Sequence, residues 1–284
     1  TQRSVVFIRA AYAAIKAAQA RFTQAPVEIL YAGCGPFATL LLPLLGRFDT
    51  NELTVHLLDI HQRSLDSVGL LISDFGLQAH RINCIQGDAC HYQHPSNPHV
   101  IIAETMQKSL EQEPQFAVTA NLAPQLHPQG IFIPQQIEVD LCLAKLSEET
   151  AAVKRGDTLD SEALIAAGKR RRLATALCLI PSQAATLMQQ ASQNSAGLFE
   201  LNPIHLTMPA AADLSDFDPV LFTRVQAFEQ HQLLDYESEI TLPLRCTELS
   251  PLQAGERFKM SFQLGNYPKF AITPMESGVD SADS

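Results

Sequence analysis

The segment Val27-Glu-Ile-Leu-Tyr-Ala-Gly33-Cys-Gly35-Pro-Phe-Ala38 sets an apolar, strand-like run directly against a turn that carries two glycines. Glycine lacks a Cβ, so backbone at such a turn can approach a ligand closely and aim its amides at it. A second apolar run, Leu53 to Leu58, ends on Asp59, and Phe37 to Leu45 between the two reads as a helix. Strand, loop, helix and strand make a βαβ unit, which commits this part of the chain to a parallel sheet covered on both faces. The stretch Ile29 to Gly46 is uncharged and of bilayer-spanning length. Gly33, Gly35 and Pro36 interrupt it after its strand-like start, so it is read as strand, loop and helix instead.

The alternation continues on both sides of this unit. Val5, Ile8, Ala11, Tyr12, Ile15 and Ala18 recur at helical spacing over Ser4 to Ala20, Arg63 to Gly76 is helical, and Arg81 to Gln86 and Val100 to Ala103 read as strands. Beyond Leu126 the pattern changes. Gly130 to Pro134 and Ile137 to Leu146 read as neighbouring strands, and Ser147 to Arg172 is polar and partly helical. The short candidates Leu198 to Thr207, Val220 to Phe228, Ser238 to Leu244, Glu256 to Leu264 and Lys269 to Ile272 then suggest antiparallel β-structure. The expected fold class is α/β: a Rossmann-like domain over 1–134, an antiparallel β-barrel-like domain over 135–274, and a small, acidic, disordered tail over 275–284.

Composition narrows the partners. With 284 residues, 46% hydrophobic and 18% charged, the chain is globular rather than disordered. Twenty Lys and Arg against thirty Asp and Glu give a net charge of −10, which argues against nucleic acid or an anionic membrane as main partner and permits a basic substrate. The six cysteines are scattered without a CxxC pair, so reduced thiols and a cytoplasmic location are expected.

Candidate site residues fall at the ends of the first four strands. Gly33-x-Gly35-x-x-Ala38 satisfies the dinucleotide-loop pattern, and Asp59 ends the second strand, where a carboxylate accepts bonds from vicinal ribose hydroxyls in either of two cofactor classes. Gln86-Gly87-Asp88-Ala89 follows the third strand, within reach of an adenine amine. Glu104 follows the fourth directly, at the edge where α/β proteins bind ligands. His91, His94 and His99, with Cys84 and Cys90, lack a metal-site spacing, and Pro95 and Pro98 favour surface histidines in an exposed loop, so no metal site is expected. Lys169-Arg170-Arg171-Arg172, with Lys154 and Arg155, reads as a solvated basic run in a polar helical segment. Gly-x-Ser-x-Gly, Walker and His-Glu-x-x-His motifs are absent.

The loop with Gly33 and Gly35, Asp59, Asp88 and the turn Leu126-His-Pro-Gln-Gly130-Ile-Phe-Ile-Pro134 together resemble class I S-adenosylmethionine-dependent methyltransferases. A dinucleotide enzyme would be expected to supply a second mononucleotide half where this chain turns to antiparallel β. Glu104-x-Met106-x-x-x-Leu110-x-x-Glu113 resembles the double-glutamate loop of protein arginine methyltransferases, and Arg3-Ser-x-x-Phe7 is similar to that family's Arg-Thr-x-x-Tyr segment. The resemblance implies S-adenosylmethionine as cofactor, contacted by Gly33, Gly35, Asp59, Asp88 and Ala89. It also implies a cationic or nitrogen-nucleophile acceptor held by Glu104 and Glu113, with Glu111 as the alternative to Glu113, and a homodimer formed through Ser147 to Arg172 or Ser182 to Ser195. The chain departs from the family in carrying Tyr31 at a usually acidic position, Phe37 at a usual glycine, Gln107-Lys108 in place of Gly-Tyr, and no Thr-His-Trp segment. Three other functions fit parts of the pattern: methylation of a small metabolite or carrier-bound acyl group, a donor-binding module without turnover, and an NAD oxidoreductase.

Overall fold

Helix α1 (Gln2–Arg21) opens the computed structural model, which describes residues 1–194, 196–201, 203–210 and 214–275. The Thr1 hydroxyl caps α1 by accepting from the Ser4 amide at 3.3 Å. Its buried stripe is Val6, Phe7, Ala10, Ala11, Ala14, Ile15 and Ala18, whereas Val5 and Tyr12 face solvent. The expected stripe is therefore rotated: four alanines and Phe7 form a narrow face that lets α1 lie against both the parallel sheet and the strands beyond it.

The alternating half follows as β1 (Val27–Ala32), α2 (Leu42–Leu45), β2 (Leu53–Asp59), α3 (Gln62–Asp74), β3 (Arg81–Gln86), β4 (Val100–Ala103), α4 (Gln115–Leu122) and β5 (Ile131–Ile133). The five strands form one parallel sheet in the order β3-β2-β1-β4-β5, with Tyr31 aligned to Leu57 on one side and to Ile102 on the other. Strand order reverses between β1 and β4, which opens a crevice at their carboxyl ends. The helix expected over Phe37 to Leu45 is corrected: only its last four residues are helical, and residues 35–41 run as turns. Ala38 has a φ of 41°, a left-handed conformation that an α-helix does not propagate through.

The chain leaves the parallel sheet at Ile133, so Gly130 to Pro134 does not pair with the strand after it. Then come β6 (Gln136–Ala144), α5 (Leu146–Lys154), α6 (Ser161–Ala166), β7 (Arg170–Leu179), α7 (Pro181–Gln189), β8 (Ser192–Gln193), β9 (Phe199–Glu200) and β10 (Ile204–Thr207). They are followed by β11 (Asp218–Phe228), β12 (His231–Leu233), β13 (Leu244–Arg245), β14 (Arg257–Gln263) and β15 (Lys269–Pro274). These strands make two antiparallel sheets, β12-β11-β6-β7 with β13 on β11, and β10-β14-β9-β8 with β15 on β14. Among the described residues they do not close into a barrel. One apolar cluster runs without interruption from Phe7 and Ile29 through Leu141 to Phe258 and Phe262.

Two further expectations are corrected. Ser238 to Leu244 is not a strand: Glu239–Thr241 forms a 3-10 turn closed by a capping box in which the side chains of Ser238 and Thr241 reciprocally satisfy backbone amides. Arg170 to Arg172 is not a solvated helical run but the start of β7. Arg170 is only 1% exposed, bonded to Glu149 at 2.8 Å and to Asp235, with its guanidinium 3.7 Å from the Phe222 ring centroid. Arg172 and Arg224 converge on Glu138 and Asp140 across neighbouring strands. Opposite charges take up Arg170 and Arg172, while Lys169 stays exposed. The tail expected to be disordered lies, over 276–284, outside the described residues, while the Met275 amide still bonds the Arg257 carbonyl at 2.8 Å. No helix among the described residues is long and apolar enough to cross a membrane.

Candidate active site

The crevice between β1 and β4 gathers the glycine loop and the loop after β4. Gly33 (φ +71°) donates to the Leu58 carbonyl at 2.9 Å, tying the loop to β2. A Cβ on Gly33 would stand 2.3 Å from the Thr105 methyl, so that residue's conformation and its close neighbour both require glycine. The Gly35 amide donates to Asp59 Oδ2 at 2.8 Å and the His61 amide to Asp59 Oδ1 at 2.9 Å. Asp59 is thus buried and fixed by one amide on each oxygen, and each oxygen keeps a lone pair for a hydroxyl. Cys34, in the same loop, is buried, and burial pushes its thiol up to about 12, so it is a packing residue rather than a nucleophile.

Asp88 follows β3. Its carboxylate accepts from the Cys90 amide at 2.9 Å and meets His91 Nδ1 at 3.0 Å, and the Cys90 amide first of all holds it below its ordinary range. The Ala89 carbonyl accepts from Asn121 at 3.0 Å, which anchors this loop to α4. Ile60, Asp88, His91, Phe116 and Tyr267 line part of a cavity of about 840 Å³, of the size that holds a small-molecule cofactor.

Glu104 stands at the first position after β4 and is bonded to Arg3 of α1, which also reaches Glu239 at 3.2 Å. Burial, together with the nearby carboxylates of Glu113 and Glu239, holds the Glu104 carboxyl above its ordinary range despite the opposing effect of Arg3. Gln115 sets the loop's origin: its Oε1 accepts from the Thr105 amide at 2.8 Å and its Nε2 donates to the Ala103 carbonyl at 3.0 Å. Further along, Ser109, Leu110 and Gln112 all have positive φ, a conformation held in part by the Ser109 amide bonding Thr223 Oγ1 at 3.0 Å. Glu113 accepts from Gln107 at 3.1 Å, whereas Glu111 is committed to the Phe270 amide at 2.9 Å. Lys108 acts electrostatically on Glu111.

The site residues read from the sequence therefore come together in two groups, Gly33, Gly35 and Asp59 around the crevice, and Asp88 at the cavity, with Ala89 beside it bonded to Asn121 rather than lining it, and Glu104 and Glu113 on the loop after β4. Tyr31, at the departure from the family pattern, is buried, and burial raises its phenol. Three participants were not assigned roles from the sequence. Arg3 lay in a recognised segment but gave no sign of its partner. Gln115 carried no local signal, and Glu239 was hidden in a segment read as a strand. The histidines and cysteines after β3 do not converge as one group: His91 is 83% exposed and the His94 side chain is fully buried.

No family model matches the sequence, and no curated protein matches it. Solved structures do match its fold. The Trypanosoma brucei PRMT1 enzyme-prozyme heterotetrameric complex with AdoHcy contains a chain 14% identical, with a TM-score of 0.54 over 98% of this chain and 91% of that one. Arabidopsis thaliana protein arginine methyltransferase 10 is 12% identical, with a TM-score of 0.53 over 93% of this chain and 84% of that one. Both matches cover more of the chain than the parallel sheet alone and take in its antiparallel half, and the chain has the fold of the protein arginine methyltransferases.

Proposed function

We propose that the chain is an S-adenosylmethionine-dependent methyltransferase that methylates a nitrogen of a guanidinium or amine acceptor. One observation carries the reading: at the switch point of the sheet, the glycine loop that holds a ribose-competent Asp59 lies against a loop whose carboxylates suit a cation. The residues fit the donor in three respects. Asp59 has a lone pair free on each oxygen for the ribose hydroxyls, Asp88 borders a cavity that suits an adenine ring, and Arg3 carries N–H groups beyond those it uses on two glutamates. The bound donor would supply an electrophilic methyl group on a sulfonium.

Glu104 and Glu113 would take charge-assisted bonds from the acceptor's N–H groups, orienting one nitrogen toward the methyl carbon and concentrating electron density on it. Glu239, on the far side of Arg3, adds a third carboxylate, so Glu104, Glu113 and Glu239 outweigh Arg3 and favour a positive acceptor. For the acceptor to engage Glu104 fully, Arg3 must share that carboxylate or withdraw with α1. A second reading draws on the same contact: Arg3 already places a guanidinium on Glu104, as a donor-binding module without turnover would allow.

Calorimetric titration with S-adenosylmethionine, S-adenosylhomocysteine and NAD tests the donor. Both sulfur ligands are expected to bind, NAD is not, and Asp59→Ala should lose binding while remaining folded. Binding of NAD alone, or of nothing, sinks the methyltransferase reading. Methyl transfer to arginine and amine compounds then separates enzyme from binding module. A homodimer belongs to the same proposal, because α5 and α6 form an insertion between β6 and β7 that offers an added surface. Light scattering is expected to give dimer mass, and a single peak at monomer mass would refute the dimer.

A further inference from the structure

On one face of the parallel sheet, at the end away from the crevice, three ligand-type side chains converge. Glu28 lies near the start of β1 and His56 in β2, while His94 comes in from the loop that follows Asp88. Alternate residues of a strand share a face, and His56 aligns with Leu30, so Glu28 and His56 are diagonal neighbours on one surface. Glu28 Oε1 is 3.1 Å from His56 Nε2, 3.1 Å from His94 Nε2 and 2.7 Å from Ser96 Oγ. The two imidazole rings stand edge to face, 4.5 Å apart at 78°.

These contacts are of hydrogen-bond length, and the same arrangement suits a set of metal ligands. A carboxylate oxygen has two lone pairs, yet three polar groups meet on this one oxygen. The nitrogen-to-oxygen separations approach the roughly 3.3 Å edge of a tetrahedron built on metal bonds of about 2.0 Å. The three ligand atoms all lie within 4.8 Å of one another. His94 is held for such a role: Tyr92 OH lies 3.0 Å from its Nδ1, fixing the ring so that Nε2 points inward, and Gln125 accepts its backbone amide at 2.8 Å. Glu28 and His56 are partly exposed, which leaves a route for an ion.

We infer that Glu28, His56 and His94 bind one divalent transition-metal ion of the zinc class, which joins β1, β2 and the loop carrying Asp88. Two neutral imidazoles and a carboxylate are a donor set that suits zinc, with a water completing the tetrahedron. The ion would restrain the 87–99 segment, and through it the Asp88 carboxylate at the cavity. The inference stands apart from methyl transfer and does not depend on it.

The test uses the full chain, stripped with chelator and dialysed against zinc chloride, with bound metal measured by mass spectrometry. One zinc per chain is expected, and cobalt should give the visible absorption of a tetrahedral site. His56→Gln and His94→Gln keep a side-chain N–H for Glu28 but lose a ligand, and each should lose the stoichiometric metal. Tyr92→Phe, which removes only the outer partner, should weaken binding about 10- to 100-fold. His91→Gln, at the exposed histidine, should bind as the parent does. No uptake by the parent protein, or equal uptake by the His56→Gln, His94→Gln double variant, overturns the site. Circular dichroism of each variant separates loss of the ligand from loss of the fold.

Discussion

Arg170→Met is expected to destabilise the protein by about 3–5 kcal/mol, a large share of the ~5–15 kcal/mol that holds a typical fold together. Arg170 is surrounded by acceptors: Glu149 takes two of its N–H groups, Asp235 and Ser161 take others, and its flat guanidinium lies on Phe222. Tyr236 adds a bond to Glu149 at 2.7 Å. Removing the arginine leaves two buried carboxylates without a counter-charge, and Asp235, whose carboxyl burial already raises, has one oxygen with no partner among the described residues. Replacing the whole set, as Arg170→Met with Glu149→Met and Asp235→Leu, should recover most of the loss, because the desolvation of all three charges is removed together. Denaturant unfolding of the single and triple variants measures both. A loss below about 1 kcal/mol for the single variant would place Arg170 among ordinary surface pairs.

Glu104→Gln is expected to lower kcat/KM for a cationic acceptor by roughly 10²- to 10³-fold, the usual cost of removing one preorganised electrostatic contact. Affinity for the donor should change little, because Asp59 and Asp88 are untouched. The pH dependence has a definite sign. Burial first, and then the neighbouring carboxylates of Glu113 and Glu239, hold the Glu104 carboxyl above its ordinary range, so the charge that holds the acceptor is lost as pH falls through that raised value. The acid limb of kcat/KM should therefore lie above the ordinary carboxylate range and disappear in the variant. Stability runs the other way. In the window between the ordinary carboxylate value and the raised one the folded state binds the proton more tightly than the unfolded state, so stability falls as pH rises through it. Glu104→Gln removes that penalty and should unfold no more easily than the parent at neutral pH. Unchanged turnover with an arginine or amine acceptor would remove the paired glutamates from the mechanism.

Much of the parallel half was legible because its signals are local. Strand-like runs ending in Asp59, Gln86 and Ala103 define strands whose carboxyl ends must share an edge once the connections are right-handed crossovers. That alone brings Gly35, Asp59, Asp88 and Glu104 to one side of the sheet. The short helix α2 was misread because Ala38 takes a left-handed conformation that no residue type announces. The basic run from Lys169 was misread because its partners, Glu149, Asp140 and Asp235, are distant in sequence and carry no periodic mark.

What the sequence determined by itself is the alternation through the first four strands, the glycine turn, and the acidic residues at the strand ends. These follow from side-chain periodicity and backbone sterics, which act over a few residues. Only the tertiary structure decided that Arg3 meets Glu104 and Glu239, that Glu111 serves the Phe270 amide while Glu113 accepts from Gln107 near Glu104, and that Glu28, His56 and His94 converge. Each of these depends on which surfaces the buried apolar cluster brings face to face, and charge pairing at such contacts is set by position in space rather than by spacing along the chain.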